Sequence, residues 1–192
     1  GRFAGPSTQK YASASNPGGN MPAAGGVAPG TGPASEADPV TLRACRLLEE
    51  RMPGALIASH LTGRHPFLRL RVDRLREAAL LLRDHPSTRL DCCHLISGVD
   101  WPAKKPGDAA ELEVVYHLVS PQRRARIRLK VPLGLDQPIA TLTPVFPGAG
   151  WPEREVFDLF GITFEDHPDL RRILTADDWE GYPLRKDYPV QV

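Results

Sequence analysis

Glu111-Leu112-Glu113-Val114-Val115-Tyr116-His117-Leu118, the turn Ser120-Pro121-Gln122-Arg123, and then Arg124-Ala125-Arg126-Ile127-Arg128-Leu129-Lys130-Val131 decide the fold. In the first run Leu112, Val114, Tyr116 and Leu118 alternate with Glu111, Glu113 and His117. In the second Ala125, Ile127, Leu129 and Val131 alternate with Arg124, Arg126, Arg128 and Lys130. Successive side chains of a strand point to opposite faces, so this pattern predicts an antiparallel hairpin with one face buried and one wet. Glu113 is expected to meet Lys130 or a nearby Arg across the wet face. The four basic residues could be taken for a nucleic-acid stripe, but no aromatic residues interleave with them to stack bases. A solvated, ion-paired sheet face is the reading they support.

Working outward on the N-terminal side, Asp38-Pro39 opens a helix that runs to about Met52, since Asp caps well and Pro suits the first helical position. Pro53-Gly54 ends it. Ala55–Leu61 and Phe67–Val72 read as strands joined by turn residues. Asp73 is expected to cap a second helix through Arg83, with Leu75, Ala78, Ala79, Leu81 and Leu82 on one face. Leu90–Gly98 reads as a third strand. On the C-terminal side, a Pro- and Gly-rich stretch from Pro132 to Gly150 includes an expected short helix near Ile139–Leu142. Trp151-Pro152 starts another helix, in which Glu153 and Glu155 complement the dipole and Arg154 stands four residues before Asp158. Val156, Phe157 and Phe160 form its apolar face, and Gly161 ends it.

Beyond Gly161 prolines at 168, 183 and 189 interrupt every periodicity. The expected fold class is therefore α+β: an antiparallel sheet with packed helices over residues 39–150, followed by a helix and a long irregular C-terminal arm over 151–192. An ordered arm of that length is uncommon in an isolated domain, so it is expected to lie on another protein. Residues 1–38 are mostly Gly, Pro, Ala and Ser with few large apolar side chains, a composition that cannot offset its ordering entropy. They are expected to form a disordered leader.

The 192 residues carry 24 basic and 23 acidic side chains, a net charge of +1, which makes no general case for nucleic acid or anionic lipid. No apolar run approaches the roughly 20 residues needed to cross a bilayer. The N-terminal segment has neither a signal-peptide core nor an Arg-rich transit pattern, so membrane contact is expected only through a partner. The three cysteines, Cys45, Cys92 and Cys93, fit a reducing compartment better than a disulfide framework.

Few constellations invite chemistry. Cys92-Cys93-His94 looks metal-like, but adjacent strand residues face opposite ways and no second Cys pair exists. Glu153 and Glu155 do not share a helix face, and Asp177-Asp178 have no third ligand at a recognised spacing. Neither a phosphate-binding glycine loop nor a nucleophile elbow is present. No autonomous active site is expected, with no catalytic, cofactor-binding or metal-binding residue. Arg171-Arg172 and Arg185-Lys186, set among Asp169 and Asp187, suit bidentate carboxylate recognition. Two readings stand: pairing within the chain, such as Arg171 with Glu165 or Arg185 with Asp187, or anchoring to a partner. Trp151, Phe157, Phe160, Trp179, Tyr182 and Tyr188 could anchor an interface or pack back on the sheet.

Three blocks at fixed spacing carry a resemblance: Glu153-Arg154-Glu155 with Asp158, Phe160 and Gly161; His167-Pro168-Asp169 with Arg171, Arg172, Ile173 and Leu174; and Gly181-Tyr182-Pro183-Leu184-Arg185-Lys186-Asp187. Together they resemble the signature of the small hydrophilic C-type subunit of respiratory complex I, the NADH:quinone oxidoreductase, along about Pro39 to Val190. Tyr182 stands where that family often has His. The resemblance implies a non-catalytic peripheral-arm subunit of a proton-translocating enzyme, which scaffolds the quinone-site subunit and the terminal iron–sulfur cluster subunit. It implies that FMN, iron–sulfur clusters, NADH and quinone are handled by other subunits. The implied place is the cytoplasmic side of the bacterial inner membrane, held peripherally. Equivalent subunits of membrane-bound hydrogenases and of ferredoxin- or F420-dependent complexes are the alternative.

Overall fold

A computed structural model describes residues 38–63, 65–101 and 111–189. The expected leader, apart from Asp38, lies outside the described residues. Helix α1 (Pro39–Arg51) begins as its sequence dictates: the Asp38 carboxylate accepts the Thr41 N–H at 2.9 Å and its hydroxyl at 3.1 Å, with Pro39 in the first turn. Strands β1 (Leu56–His60) and β2 (Phe67–Leu70) follow as an antiparallel pair, each shorter than expected. A 3₁₀ turn (Val72–Arg74) leads into helix α2 (Leu75–Asp84), which buries Leu75, Ala78, Ala79 and Leu82. Asp73 does not cap it. The Arg71 guanidinium, two residues away, takes both carboxylate oxygens at 2.9 and 3.0 Å, a bidentate bond that outcompetes a cap.

Strand β3 (Cys92–Trp101) and the hairpin β4 (Glu111–Ser120) and β5 (Ala125–Leu133) complete a five-stranded sheet in the order β1-β2-β5-β4-β3. The hairpin pairs Leu112 with Leu133 through Ser120 with Ala125, the register its alternation demands. The sheet is mixed rather than antiparallel throughout, because β2 runs parallel to β5 with Phe67 opposite Arg128 and Arg69 opposite Lys130. The long chain between them, through α2, β3 and β4, is the kind of crossover that parallel pairing needs.

Leu112, Val114, Tyr116 and Leu118 share one buried cluster with Ile127, Leu129, Val131, the apolar residues of α1 and α2, and Val156 and Phe160. The opposite face carries Glu113, Val115, His117 and the basic side chains of β5. Glu113 meets Lys130 there at 2.9 Å, as expected, with Arg69 at 3.5 Å. Yet it is buried, 3% exposed, because those long side chains lie over it and exclude water.

The stretch expected to form a helix near Ile139–Leu142 is instead strand β6 (Ile139–Ala140), paired in parallel with β7 (Phe164–Glu165). Its bonds come from residues more than twenty positions away, a tertiary demand that overrides local propensity. Helix α3 (Gly150–Phe160) packs on β3, where Gly98 admits the Phe160 ring: a Cβ on Gly98 would lie 2.5 Å from it. Beyond β7, residues 166–189 contain no further helix or strand.

Candidate protein interface

Helix α3 and the irregular segment after it gather the residues singled out from sequence, and they are knitted to one another first. Sequence places Glu153 at the helix N-terminus, where it complements the dipole. The structure buries it fully, accepting the Leu142 N–H at 2.7 Å and the Thr141 hydroxyl. Burial pushes its carboxyl up to about 7, while the bonds from Thr141 and Leu142 and the Arg76 charge pull it down. His167 Nε2 stands 3.9 Å from the same carboxylate, but this is not a simple ion pair. That nitrogen lies 3.1 Å from the Gly150 carbonyl, and Nδ1 accepts the Asp169 N–H at 3.0 Å, a pattern met by the neutral ring with its proton on Nε2. Glu155, two residues on, is exposed.

Arg154 does not reach Asp158. Its Nε and Nη2 donate to the Arg171 and Arg172 carbonyls at 3.0 Å each, and its guanidinium lies over the Trp151 ring. Two main-chain acceptors brought by the arm outbid one helical neighbour. Asp158 serves the arm as well. Its side chain is fully buried, and one oxygen accepts the backbone N–H groups of Ile173, Leu174 and Thr175 at 2.7–3.0 Å. The other takes Arg172 Nη1 at 2.8 Å and the Thr175 hydroxyl. Burial pushes this carboxyl up, but those donors outweigh it and hold it well below the usual carboxylate range.

Arg172 continues through Nη2 to the carbonyls of Trp179 and Gly181 at 3.0 and 3.1 Å. Arg185 donates to the Phe160 carbonyl at 2.5 Å and lies over the Tyr182 ring. Gly161 ends the helix at φ +72°, and a side chain there would collide with Tyr182. The Lys186 N–H reaches Asp100 at 2.8 Å. The pairings expected within the chain, Arg171 with Glu165 and Arg185 with Asp187, are not the ones formed. Arg171 takes Asp169, at 2.6 Å, and Arg185 takes a carbonyl.

The aromatic set divides. Phe160 is buried, and Phe157, Tyr182 and Tyr188 are half-buried, the last with its ring over Gly181. Trp151 (67%) and Trp179 (44%) stay exposed, together with Leu174 (62%) and Leu184 (50%). Of the other signature residues, Pro168, Asp169, Arg171, Lys186 and Asp187 are exposed and Pro183 is half-buried. Sequence reading missed Thr141, Thr175 and Asp100, whose roles depend on distant partners and leave no local signal. Cys92 and Cys93 form no metal cluster with other His, Cys, Asp or Glu side chains among the described residues. Burial pushes the Cys93 thiol up to about 12, with Glu153 and Cys92 adding to it.

Residues 68–192 match the family described as respiratory-chain NADH dehydrogenase, 30 Kd subunit. The chain belongs to that family. Among similar proteins, the C-type subunit of NADH-quinone oxidoreductase from Maricaulis maris is 48% identical over 118 residues, 62% of this chain and 57% of that one. The corresponding subunit from Azorhizobium caulinodans is 40% identical over 139 residues, 72% of this chain and 64% of that one. The chain thus spans between about half and two thirds of such relatives. Among solved structures, a trypsin-resistant fragment of Nqo5 superposes with a TM-score of 0.52 at 30% identity, covering 67% of this chain and 99% of the fragment. A chain of the membrane-bound sulfane sulfur reductase, an archaeal respiratory membrane complex, gives 0.62 at 26% identity, covering 77% of this chain and 85% of its own. For this 30 Kd subunit family member, no helix of the described residues is long and apolar enough to cross a membrane.

Proposed function

We propose that this chain is the C-type, 30 Kd component of a proton-translocating NADH:quinone oxidoreductase and acts by holding its neighbours, with no active site of its own. Its partners are the quinone-site subunit and the terminal iron–sulfur cluster subunit. FMN, iron–sulfur clusters, NADH and quinone belong to other subunits. The assembly holds the chain peripherally at the cytoplasmic side of the bacterial inner membrane.

One observation carries this reading. The arm is fastened to its own domain through Asp158, Arg154, Arg172 and Arg185, while Leu174, Trp179 and Leu184 remain exposed on the segment so fixed and Trp151 on α3 beside it. Large apolar side chains presented on a pre-ordered segment are the anchors expected of a stable protein interface. The names of the relatives favour the NADH-dependent enzyme over a hydrogenase or a ferredoxin- or F420-dependent complex.

The test is affinity purification of the tagged chain from membranes of its host, with partner identification and NADH:quinone activity. Recovery of iron–sulfur subunits with activity supports the reading, and recovery of a lone chain overturns it. Arg171→Ala, at a side chain 73% exposed, should lower assembly and activity together. Full assembly with lost activity would instead point to a direct catalytic part.

A further inference from the structure

On the helix-free face of the sheet, the loop before β2 and strands β4 and β5 enclose a groove of about 170 Å³ lined by His65, Pro66, His117, Arg126 and Arg128. Its charge is one-sided. Among the described residues no carboxylate lies within ion-pairing distance of Arg126 or Arg128, although Arg69 and Lys130 on the same face are paired with Glu111 and Glu113. Arg128 uses Nη2 to hold the His65 carbonyl at 2.5 Å, which fixes the groove's wall and leaves the rest of its guanidinium free. His117, half-buried at the floor, is held below its usual range by burial and then by Arg128 and Arg126 of β5, His94 of β3 and His65 of the loop. Leu95, the register partner of His117, is exposed beside it.

We infer that this groove receives the carboxylate of an acidic segment of a partner polypeptide, with an apolar neighbour of that carboxylate resting on Leu95. Unpaired guanidiniums at the edge of a confined groove are suited to planar carboxylate recognition. A nucleic acid fits poorly. Phe67, the register partner of Arg128, is already stacked by His60 at 5.6 Å and covered by Lys130 at 4.8 Å, so both neighbours compete with a base for its ring. The inference stands whether or not the chain joins an NADH:quinone oxidoreductase.

The probe is a fluorescent peptide alternating Glu and Leu, titrated with the full chain at low ionic strength. Binding should weaken with added salt, tighten as pH falls below the usual histidine range, about 6.5, where His117 takes up a proton, and raise the pKa of His117 followed by NMR. Arg126→Ala, at a side chain without a hydrogen-bond partner among the described residues, should weaken binding about tenfold, and Arg126→Ala with Arg128→Ala further. Arg46→Ala, on the exposed side of α1, should leave it unchanged. Equal binding by the Arg126 variant and the parent overturns the inference. So does displacement of the peptide by equimolar inorganic phosphate, tighter binding of duplex oligonucleotide, or no peptide binding at all.

Discussion

Arg172 and the fully buried Asp158 form an ion pair at 2.8 Å in which neither partner is dedicated to the other: the aspartate also gathers three backbone N–H groups, and the arginine the carbonyls of Trp179 and Gly181. The pair is therefore a junction between helix α3 and the part of the arm from Arg172 to Gly181. Removing one partner strands the rest. Asp158→Ala should destabilise the chain by about 3–5 kcal/mol, Arg172→Ala should cost a comparable amount, and the double variant should fall short of their sum. Equilibrium denaturation measures all three.

The same carboxylate makes an acid-side prediction. Its folded value is depressed, so its contribution is present above the unfolded carboxylate range, about 3.9, and is lost as pH falls through the folded value. Between about pH 5 and pH 2 the parent should lose more stability than Asp158→Asn. Equal acid sensitivity in the two chains would show that the network does not hold the charge.

Glu153 has the opposite sign. Its folded value, about 7, is raised above the unfolded one, so the folded state keeps a proton that the unfolded chain releases. Its contribution is greatest below about pH 4.3 and declines as pH rises to about 7, by a few kcal/mol at most. Denaturation curves across this window should show stability falling with pH, and Glu153→Gln should flatten that slope.

Gly98→Ala tests the docking of α3 on the sheet. The new methyl would lie 2.5–2.9 Å from three atoms of the Phe160 ring, so the helix must shift, at a cost of about 1–3 kcal/mol. Phe160→Leu in the same chain should recover part of the loss, because it opens space at the contact. Thermal melts of the single and double variants decide it.

Cysteine labelling reports on the burial of β3 and α1. The Cys93 thiol is pushed up to about 12 and Cys45 is buried with its thiol also raised, whereas Cys92 is exposed. At about pH 8 in the native state, iodoacetamide should modify Cys92 well ahead of the other two, since the thiolate is the nucleophile. In denaturant all three should react, as read by mass spectrometry.

The hairpin of β4 and β5 was legible almost to the residue, because alternation over many positions admits one register. The stripe of α2 and the cap of α1 were legible for the same local reason. What escaped reading depends on distant partners. Strand β6 exists because β7 pairs with it, and β2 joins β5 in parallel across more than fifty residues. At the site, the fastened arm followed no rule of spacing: Arg154 passed over a helical neighbour for two carbonyls, and Glu153 turned inward to Thr141. Local rules assign a charged side chain its nearest partner, and here backbone acceptors from the arm compete for it.

The parallel seam between β2 and β5 has a consequence for how the chain is made. As synthesis proceeds from the N-terminus, β1 and β2 emerge with α1 and α2 long before β5, the other strand that pairs with β2 among the described residues. A two-stranded ribbon is marginal alone, so the first half must wait with an apolar face uncovered until the hairpin leaves the ribosome. Until Ala125 to Leu133 has emerged the nascent chain is a target for chaperones, and once that strand is out the seam can close and release it.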